Sequence, residues 1–375
     1  MQVLIILFAV LALIGVIQQL YGAHLVERFC AASPATPKQR PSVSILKPLH
    51  GVEPLTELAL ESFFLLDYPD YQLVFGVQNE NDPVLGVIAR LRARYPERDT
   101  ALMVNDTPHG SNRKVANLIN MRPLAKHEIL VIADADVHVP PYYLERVVAA
   151  LETPETGLVT SLYTGLPGTA ELPARLGAMQ INQTFLPGFL MARQLGRQDC
   201  TGATMAIRKL LLTQLGGLEA LSGHLADDQV LGRLVLKAGL KIKLANVIPA
   251  TTIPEADFAA LFRHELRWAR TIRALVPLAY AGSILQIPLL WAALALVCSG
   301  LELWSVFLFL GVWAVRVVAG WRTETSLRLP RTGEFWLFLL RDCFSAIIYI
   351  ASFTGNRVNW RGQSMTADSG RSDPG

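Results

Sequence analysis

Acidic residues follow two strands predicted in the middle of the chain, where a site for ligand binding or catalysis could form. Asp134 and Asp136 come directly after the apolar run ILVIA, and Asp82 follows the run YQLVFGV. Because side chains at positions i and i+2 of a strand point the same way, Asp134 and Asp136 can reach one hard divalent cation that bridges diphosphate oxygens. An isolated Asp-x-Asp pair is more often a turn or a helix cap, so the strand before this pair is what favours a metal site.

Two further acidic positions are open to a structural or a chemical interpretation. Asp82 precedes Pro83, which is typical of a helix start, yet a cap aspartate on a ligand-facing edge can also meet a base or a ribose. Asp227 and Asp228 precede an amphipathic run that ends at Gly239. They can cap that helix, or a carboxylate there can act as general base on an acceptor hydroxyl.

A basic and aromatic segment, RHELRWARTIR, runs from Arg263 to Arg273 just before a series of apolar stretches. It predicts an interfacial amphipathic helix with Trp268 at the depth of lipid headgroups. In the alternative interpretation, Arg267 and Trp268 close over a diphosphate, whose charge the guanidinium offsets.

Alternating strands and helices must position these residues. Strands are predicted at 42–46, 71–77, 101–104 and 129–133, and helices at 54–66, at 83–95 and from about 115. The pair Lys47-Pro48 is expected to end the first strand. This alternation predicts an α/β fold with a doubly wound sheet, whose ligands bind beyond the carboxyl ends of the strands.

Apolar segments at both ends of the chain predict a membrane protein. Residues 3–21 can cross about 30 Å of hydrocarbon and lack the basic start and the cleavage site of a signal peptide. Later stretches at about 275–299 and 301–320 predict a hairpin, whereas Arg341 and Asp342 interrupt a third at 335–353, which is expected not to span. The predicted domains are an anchor at 1–22, a soluble domain at 40–255, an interfacial helix at 256–274, membrane segments at 275–355 and a polar tail at 356–375.

Lys38 and Arg40 follow the first apolar run, so the positive-inside rule puts the soluble domain in the cytoplasm.

Charge and composition exclude several classes of protein. The 375 residues are 51% hydrophobic and 17% charged, which disfavours a purely soluble or disordered chain. The net charge of +3 comes without Lys/Arg runs, so no nucleic-acid partner is expected. The four cysteines match no metal-ligand spacing and predict neither a zinc site nor a disulfide scaffold.

The motifs follow one another in the order Asp82, Asp134-x-Asp136, Asp228 and His264-x-x-Arg267-Trp268, with membrane segments after them. In this order the chain resembles the ceramide glucosyltransferase family, family 21 of the GT-A glycosyltransferases. The phrases SILKPLHG, DYPDYQLVFGVQ and TGATMAIRK reinforce the resemblance. The loop GSNRKVANLINM and the segment RHELRWART look most like the bacterial hopanoid-associated members. The family's motif begins with Gln or Arg where this chain has His264, which leaves the role of that residue open.

The resemblance implies a Rossmann-like GT-A domain that binds a UDP-sugar, flanked by an N-terminal transmembrane helix and C-terminal membrane helices in the bacterial inner membrane. It implies that Asp82 contacts the nucleotide, that Asp134 and Asp136 hold Mg²⁺ or Mn²⁺, and that Asp228 takes the proton from a lipid hydroxyl. The other candidate contacts to the nucleotide-sugar are Lys47, Lys114, Arg267 and Trp268, although either lysine can also be merely solvated.

The implied reaction moves N-acetylglucosamine to a bacteriohopanetetrol-type hopanoid, with inversion at the sugar. Transfer of glucose from UDP-glucose to ceramide is the alternative within the family. A membrane-anchored nucleotide-binding module without catalysis is an alternative from another class. A processive polysaccharide synthase shares the order of the motifs but normally has more spans.

Overall fold

The structure is a computed structural model that describes residues 1–360 and 363–366. Most of the predicted polar tail therefore lies outside the described residues. The strands are β1 (Val43–Leu49), β2 (Tyr71–Val77), β3 (Thr100–Val104), β4 (Ile129–Ile132), β5 (Val137–His138), β6 (Thr156–Thr160), β7 (Thr164–Pro167), β8 (Met205–Arg208), β9 (Lys241–Leu244), β10 (Ala250–Ile253), β11 (Arg357–Trp360) and β12 (Gln363–Thr366).

The α-helices are α1 (Gln2–Ala31), α2 (Thr56–Phe64), α3 (Val84–Arg94), α4 (Arg113–Met121), α5 (Tyr143–Leu151), α6 (Leu172–Gln180), α7 (Leu186–Gln194), α8 (Lys209–Gln214), α9 (Asp227–Lys237), α10 (Phe258–Leu275), α11 (Pro277–Gly282), α12 (Pro288–Cys298), α13 (Leu303–Ser326) and α14 (Trp336–Ser352). A π-helix at Ile181–Phe185 joins α6 to α7, and 3₁₀ turns lie at Arg122–Leu124, Leu218–Leu221 and Ser283–Gln286.

The chain divides into two compact units. The sheet unit comprises Ser33–Gly168 and Arg197–Pro254, and the membrane unit comprises Met1–Ala32, Thr169–Gly196 and Glu255–Gly375. Residues 169–196 fall inside the predicted soluble domain at 40–255 but group with the membrane unit.

The sheet unit is built on seven strands in the order β3-β2-β1-β4-β8-β6-β9. Strand β8 runs antiparallel to both its neighbours, whereas the other paired strands of this sheet are parallel. A second sheet of three strands has the order β5-β10-β7. The predicted α/β class, with apolar helices towards both ends of the chain, is confirmed.

The large sheet is covered on both faces, which explains why its central strands β1, β2 and β4 are mostly apolar and buried along their whole length. Ile45 belongs to one hydrophobic cluster and Leu46 to the other, and Val131 and Ile132 divide in the same way. Successive strand residues point to opposite faces, so an apolar residue at every position needs a core on each side. The predicted strands at β1, β2 and β4 are therefore fully buried, whereas β3, at the edge of the sheet, is partly exposed.

Strand β1 continues past the point where the sequence predicts its end. It pairs with β2 as far as Leu49, but with β4 only as far as Leu46. Pro48 thus lies where β1 has a neighbour on one side only. A proline is tolerated at such an edge position because its missing N–H leaves no ladder bond unmade.

In the membrane unit, two of the described helices are long and apolar enough to cross a membrane, namely α1 and α13. The residues predicted as the first arm of the hairpin instead form a helix pair, Pro277–Gln286 and Pro288–Cys298, bent by 63°. Counted as one span, this pair would be a third crossing. Helix α14 is not among these candidates, and its charged residues are buried against partners: Arg341 forms two bonds to Glu265, and Asp342 pairs with Arg316.

Candidate active site

The Asp-x-Asp pair lies just beyond the end of β4, in the turn that leads to β5. Asp134 and Asp136 follow Ile132, and Asp136 leads directly into β5. The carboxylate of Asp136 accepts a hydrogen bond from the Thr251 hydroxyl, and its backbone carbonyl accepts one from Thr252 N–H at 3.0 Å. Strand β10 of the small sheet therefore holds this turn in place.

Lys114 brings the two predicted acidic clusters together. Its ammonium nitrogen lies 2.7 Å from Asp134 Oδ1 and 3.2 Å from Asp227 Oδ2. The lysine stands in the first turn of α4, whose N-cap Asn112 accepts a bond from Val115 N–H. Burial lowers the pKa of Lys114, but the charges of Asp134 and Asp227 outweigh it and raise that pKa above its ordinary value. The lysine is therefore a charged link between the end of β4 and the start of α9.

Asp228 is the partly buried carboxylate beside this link, in the first turn of α9. Burial, followed by the charge of Asp227, raises the pKa of Asp228 to about 7. A carboxyl group with a pKa near neutrality can accept and release a proton at working pH, which is the property of a general base.

Gly202 shows that these groups face a common space. A methyl group built on its Cα would lie 3.0 Å from Asp134 Oδ2, 3.5 Å from Lys114 Nζ and 3.6 Å from Asp228 Oδ2. Three charged groups predicted from separate parts of the sequence thus converge around one glycine. A side chain at this position would occupy that space.

Lys47 binds the backbone of the Asp-x-Asp turn. Its side chain is fully buried, its ammonium donates to the backbone carbonyl of Asp134, and it stands 4.0 Å from the centre of the Phe63 ring. Burial lowers the pKa of Lys47 to about 7, although the charges of Asp136 and Asp134 oppose the shift. In this arrangement the lysine supports the turn from within, and its contact with a nucleotide stays a prediction.

Asp82 joins the loop after β2 to the loop after β1. Its carboxylate accepts backbone N–H bonds from Gly51, at 3.0 and 2.9 Å, and from Val84 at 2.9 Å. The side chain is buried. The helix-start interpretation and the ligand-edge interpretation of this residue both remain compatible with its place at the sheet edge.

The acidic pair fits a divalent cation in its donor chemistry. Burial and the charge of Asp134 raise the pKa of Asp136, as expected of two carboxylates that repel each other. Magnesium is commonly held by one or two carboxylates together with substrate phosphates and water. Within residues 1–360 and 363–366 no cluster of three or more His, Cys, Asp or Glu side chains forms a metal site, so the remaining ligands would come from a diphosphate and water.

The Arg-Trp motif belongs to the membrane unit, on α10. His264 Nδ1 pairs with the carboxylate of Glu255, and the His264 ring meets Trp268 edge to face at 4.5 Å between centres. Burial raises the pKa of Glu255, but the hydrogen bond and charge of His264 outweigh it and lower that pKa overall. His264, the residue that departs from the family motif, therefore packs against Trp268, one turn further along α10.

Sequence reasoning missed three of these features. Gly202 stands inside the phrase TGATMAIRK, which pointed to the family but not to a role for the glycine. Asp227 is the acidic residue that pairs with Lys114, although Asp228 was preferred as the base. Nothing in the local pattern marks Glu255 as the partner of a histidine nine residues away.

The family model and the relatives that match this chain are those of glycosyltransferases. The family model for Glycosyl transferase family 21 matches residues 7–373. Ceramide glucosyltransferase 1 of Caenorhabditis elegans is 22% identical over 379 residues, which cover 94% of this chain and 79% of that protein. A ceramide glucosyltransferase of Komagataella phaffii is 38% identical over 119 residues, but the match spans only 31% of this chain and 23% of that protein.

Among solved structures, a mannosyltransferase from Pyrobaculum calidifontis in complex with GDP-Man and Mn²⁺ aligns with a TM-score of 0.48 and 16% identity. The alignment covers 92% of this chain and 99% of the other.

Proposed function

The chain belongs to glycosyltransferase family 21, and we propose that it moves one sugar from a UDP-sugar to the hydroxyl group of a membrane lipid. The observation that carries this proposal is the convergence of Asp134, Lys114 and Asp228 around Gly202. A donor diphosphate and an acceptor hydroxyl both need charged partners, and this space offers a cation, a candidate metal ligand and a candidate base.

The donor's diphosphate is assigned to the end of β4. Asp134 and Asp136 would hold Mg²⁺ or Mn²⁺, which when bound supplies positive charge to the leaving diphosphate. Lys114, whose ammonium lies 2.7 Å from Asp134 Oδ1, would bind the same phosphates with its positive charge. Asp82 is assigned to the nucleotide, and Arg267 and Trp268 to closing over the diphosphate.

The chemical step is assigned to Asp228. The acceptor oxygen forms a bond to the anomeric carbon as the bond from that carbon to the diphosphate oxygen breaks. The hydroxyl proton passes to the Asp228 carboxylate, and UDP leaves from the opposite face, so the configuration inverts. Because the pKa of Asp228 is raised to about 7, the base form increases as pH rises through 7, and turnover should rise with it.

A hopanoid of the bacteriohopanetetrol type is the proposed acceptor, with UDP-N-acetylglucosamine as donor, in a bacterial inner membrane. The loop GSNRKVANLINM and the segment RHELRWART support this choice. Ceramide with UDP-glucose is the second candidate, and the curated ceramide glucosyltransferases that match the chain favour it. A lipid acceptor in either case agrees with the apolar helices α1 and α13.

The test is mass spectrometry of lipids after membranes that contain the protein are incubated with each donor and acceptor, with and without EDTA. We expect an adduct of one sugar on the hopanoid that EDTA abolishes. A hexosyl ceramide would assign the second candidate. No adduct with any pair would contradict the enzyme and favour a nucleotide-binding module.

The variant Asp228→Asn tests the base. It should lower turnover by roughly 100- to 10,000-fold, the range of general-base catalysis, while binding of UDP, measured by calorimetry, stays unchanged. It should also remove the rise of activity through pH 7. Full turnover in this variant would overturn the assignment of Asp228.

A further inference from the structure

A basic cavity lies in the membrane unit, away from the residues assigned to the sugar transfer. Its volume is about 300 Å³, and its wall includes Glu27 of α1, Trp321 and Arg322 of α13, Thr325 and Arg331. We propose that this cavity binds the phosphate group of an anionic phospholipid.

The depth of the cavity agrees with a lipid headgroup. Helix α13 has 24 residues and is about 36 Å long at 1.5 Å per residue, whereas the hydrocarbon layer is about 30 Å thick. Its last turn therefore extends beyond the hydrocarbon, and Arg322, just before that turn, lies about 30 Å from the start of the helix, at the edge of the layer. Helix α1 has 30 residues and is about 45 Å long at 1.5 Å per residue, so it is also longer than the hydrocarbon layer is thick. Glu27 lies beyond about the first 30 Å of this helix. Arg322 binds Glu27 through two bonds of 2.8 and 2.7 Å, so both helices reach the same level there.

The cavity wall carries an excess of positive charge. Arg322 is neutralised by Glu27, whereas Arg331 donates through Nε to the Thr325 hydroxyl at 3.2 Å. No carboxylate of the described chain lies within 4.0 Å of the Arg331 guanidinium to form an ion pair. Its terminal N–H groups therefore remain for a phosphate, and Thr325 keeps a hydroxyl proton to donate.

The loop that carries Arg331 is anchored at the next residue, whereas the Arg331 side chain itself is exposed. Thr332, the next residue, accepts a bond from the Trp321 indole N–H at 2.7 Å through its carbonyl. Its own N–H and hydroxyl donate to Glu324 at 2.9 and 2.6 Å. These bonds fix the backbone from which Arg331 reaches the cavity wall.

A lipid is a better occupant than a free anion because part of the wall is apolar. Val318 lines the cavity one turn before Arg322 and is exposed, and Trp321 stands beside it. An acyl chain can lie along these side chains while its phosphate reaches the arginines, whereas a free phosphate uses the arginines alone. Basic pockets at the ends of transmembrane helices are a recognised mode of binding anionic lipids.

The test compares two arginines of the same loop in the full-length protein. Arg331→Gln removes the charge from the cavity, and Arg328→Gln is the matched control, since Arg328 is exposed in the same loop but does not line the cavity. Each delipidated protein is titrated with phosphatidylglycerol or phosphatidylcholine in detergent, and the bound lipid is counted by native mass spectrometry. Inorganic phosphate serves as the competitor.

We expect Arg331→Gln to weaken phosphatidylglycerol binding about fivefold, in line with the contribution of one arginine near a lipid headgroup. Arg328→Gln and phosphatidylcholine binding should show little change, and Arg331→Lys should retain part of the affinity. An equal loss in both glutamine variants would assign the effect to general surface charge and overturn the site. No loss in Arg331→Gln, or displacement of the lipid by phosphate at equal concentration, would also overturn it. Because the readout is lipid retained and not sugar transferred, the result is independent of the proposed function.

Discussion

Lys114 and Gly202 determine how the aspartates of the sheet unit are arranged. Lys114 holds Asp134 and Asp227 at 2.7 and 3.2 Å, so two acidic clusters that would repel each other can approach. Gly202 leaves open the space that these groups surround. At the scale of single residues, the candidate site therefore depends on the positive charge of Lys114 and on a glycine, with no side chain, at position 202.

Replacing Gly202 with Ala tests the second of these features. The added methyl group would lie 3.0 Å from Asp134 Oδ2, closer than an ordinary contact, so the carboxylate must move. We expect turnover to fall roughly 10- to 100-fold, because small misplacements of reacting groups have effects of that size. Initial rates of glycolipid formation would measure it. Gly223→Ala is the matched control, since a methyl group there meets nothing within 4 Å, and an equal loss in both variants would contradict the role given to Gly202.

Helix α10 carries the Arg-Trp motif, and buried contacts within the membrane unit fix it in place. Glu265, between His264 and Arg267, receives two bonds of 2.7 and 2.8 Å from Arg341 of α14. The Arg341 guanidinium also donates to the carbonyl of Leu176 on α6. At the scale of elements, Arg341 thus joins three helices, α14, α10 and α6. This explains how an apolar segment can contain an arginine that is fully buried.

Breaking this pair should destabilise the membrane unit. Arg341→Met leaves the Glu265 carboxylate buried without its cation, and we expect a loss of about 3–5 kcal/mol in the free energy of unfolding. The double variant with Glu265→Met should recover most of that loss, because it removes both charges together. Thermal unfolding in detergent measures both effects.

The exposed pair of Arg175 and Glu334 provides the comparison for that experiment. It has a similar length, 2.7 Å, but its side chains are 36% and 44% exposed. Arg175→Met should therefore change stability by no more than about 1 kcal/mol. If Arg341→Met were as mild, the buried pair would not be what holds α10 to α14.

The chain as a whole alternates between its two units. It begins in the membrane unit, forms part of the sheet unit, returns for residues 169–196, completes the sheet unit and ends in the membrane unit. The segment 169–196 is tied to its unit by Gln183, which accepts from Arg316 at 3.2 Å and donates to Glu324 at 2.6 Å.

The orientation of the chain in the membrane is a prediction at this scale. By the positive-inside rule, the basic residues after α1 predict that its end lies in the cytoplasm and that the link at 300–302 lies on the far side. Two variants each carry a single thiol. The first keeps the exposed Cys30 and has the other three cysteines replaced by serine. The second has all four native cysteines replaced by serine and carries Glu302→Cys. In intact bacterial cells, a membrane-impermeant maleimide should label the second variant only. After the cells are permeabilised, it should label both variants. Labelling of Cys30 in intact cells would contradict the cytoplasmic site.

Local pattern was sufficient to predict much of this protein. The strand at Tyr71–Val77 has the predicted bounds, and those at Val43–Leu49, Thr100–Val104 and Ile129–Ile132 overlap their predictions. Buried strands and membrane helices are both rich in apolar residues over a short stretch, so both are visible in a local window of the sequence. The place of Asp134 and Asp136 at a strand end follows from the same windows.

Only the tertiary structure decided which distant residues meet. The antiparallel pairing of β8 with β4 and the link from Lys114 to Asp227 join positions that no short window contains. Residues 169–196 are divided by Pro173 and Pro187 and carry no long apolar run, so their place in the membrane unit depends on partners such as Arg316 and Glu324. The physical reason is that burial selects apolar residues locally, whereas strand direction and charge pairing are settled by the energy of contacts between remote segments.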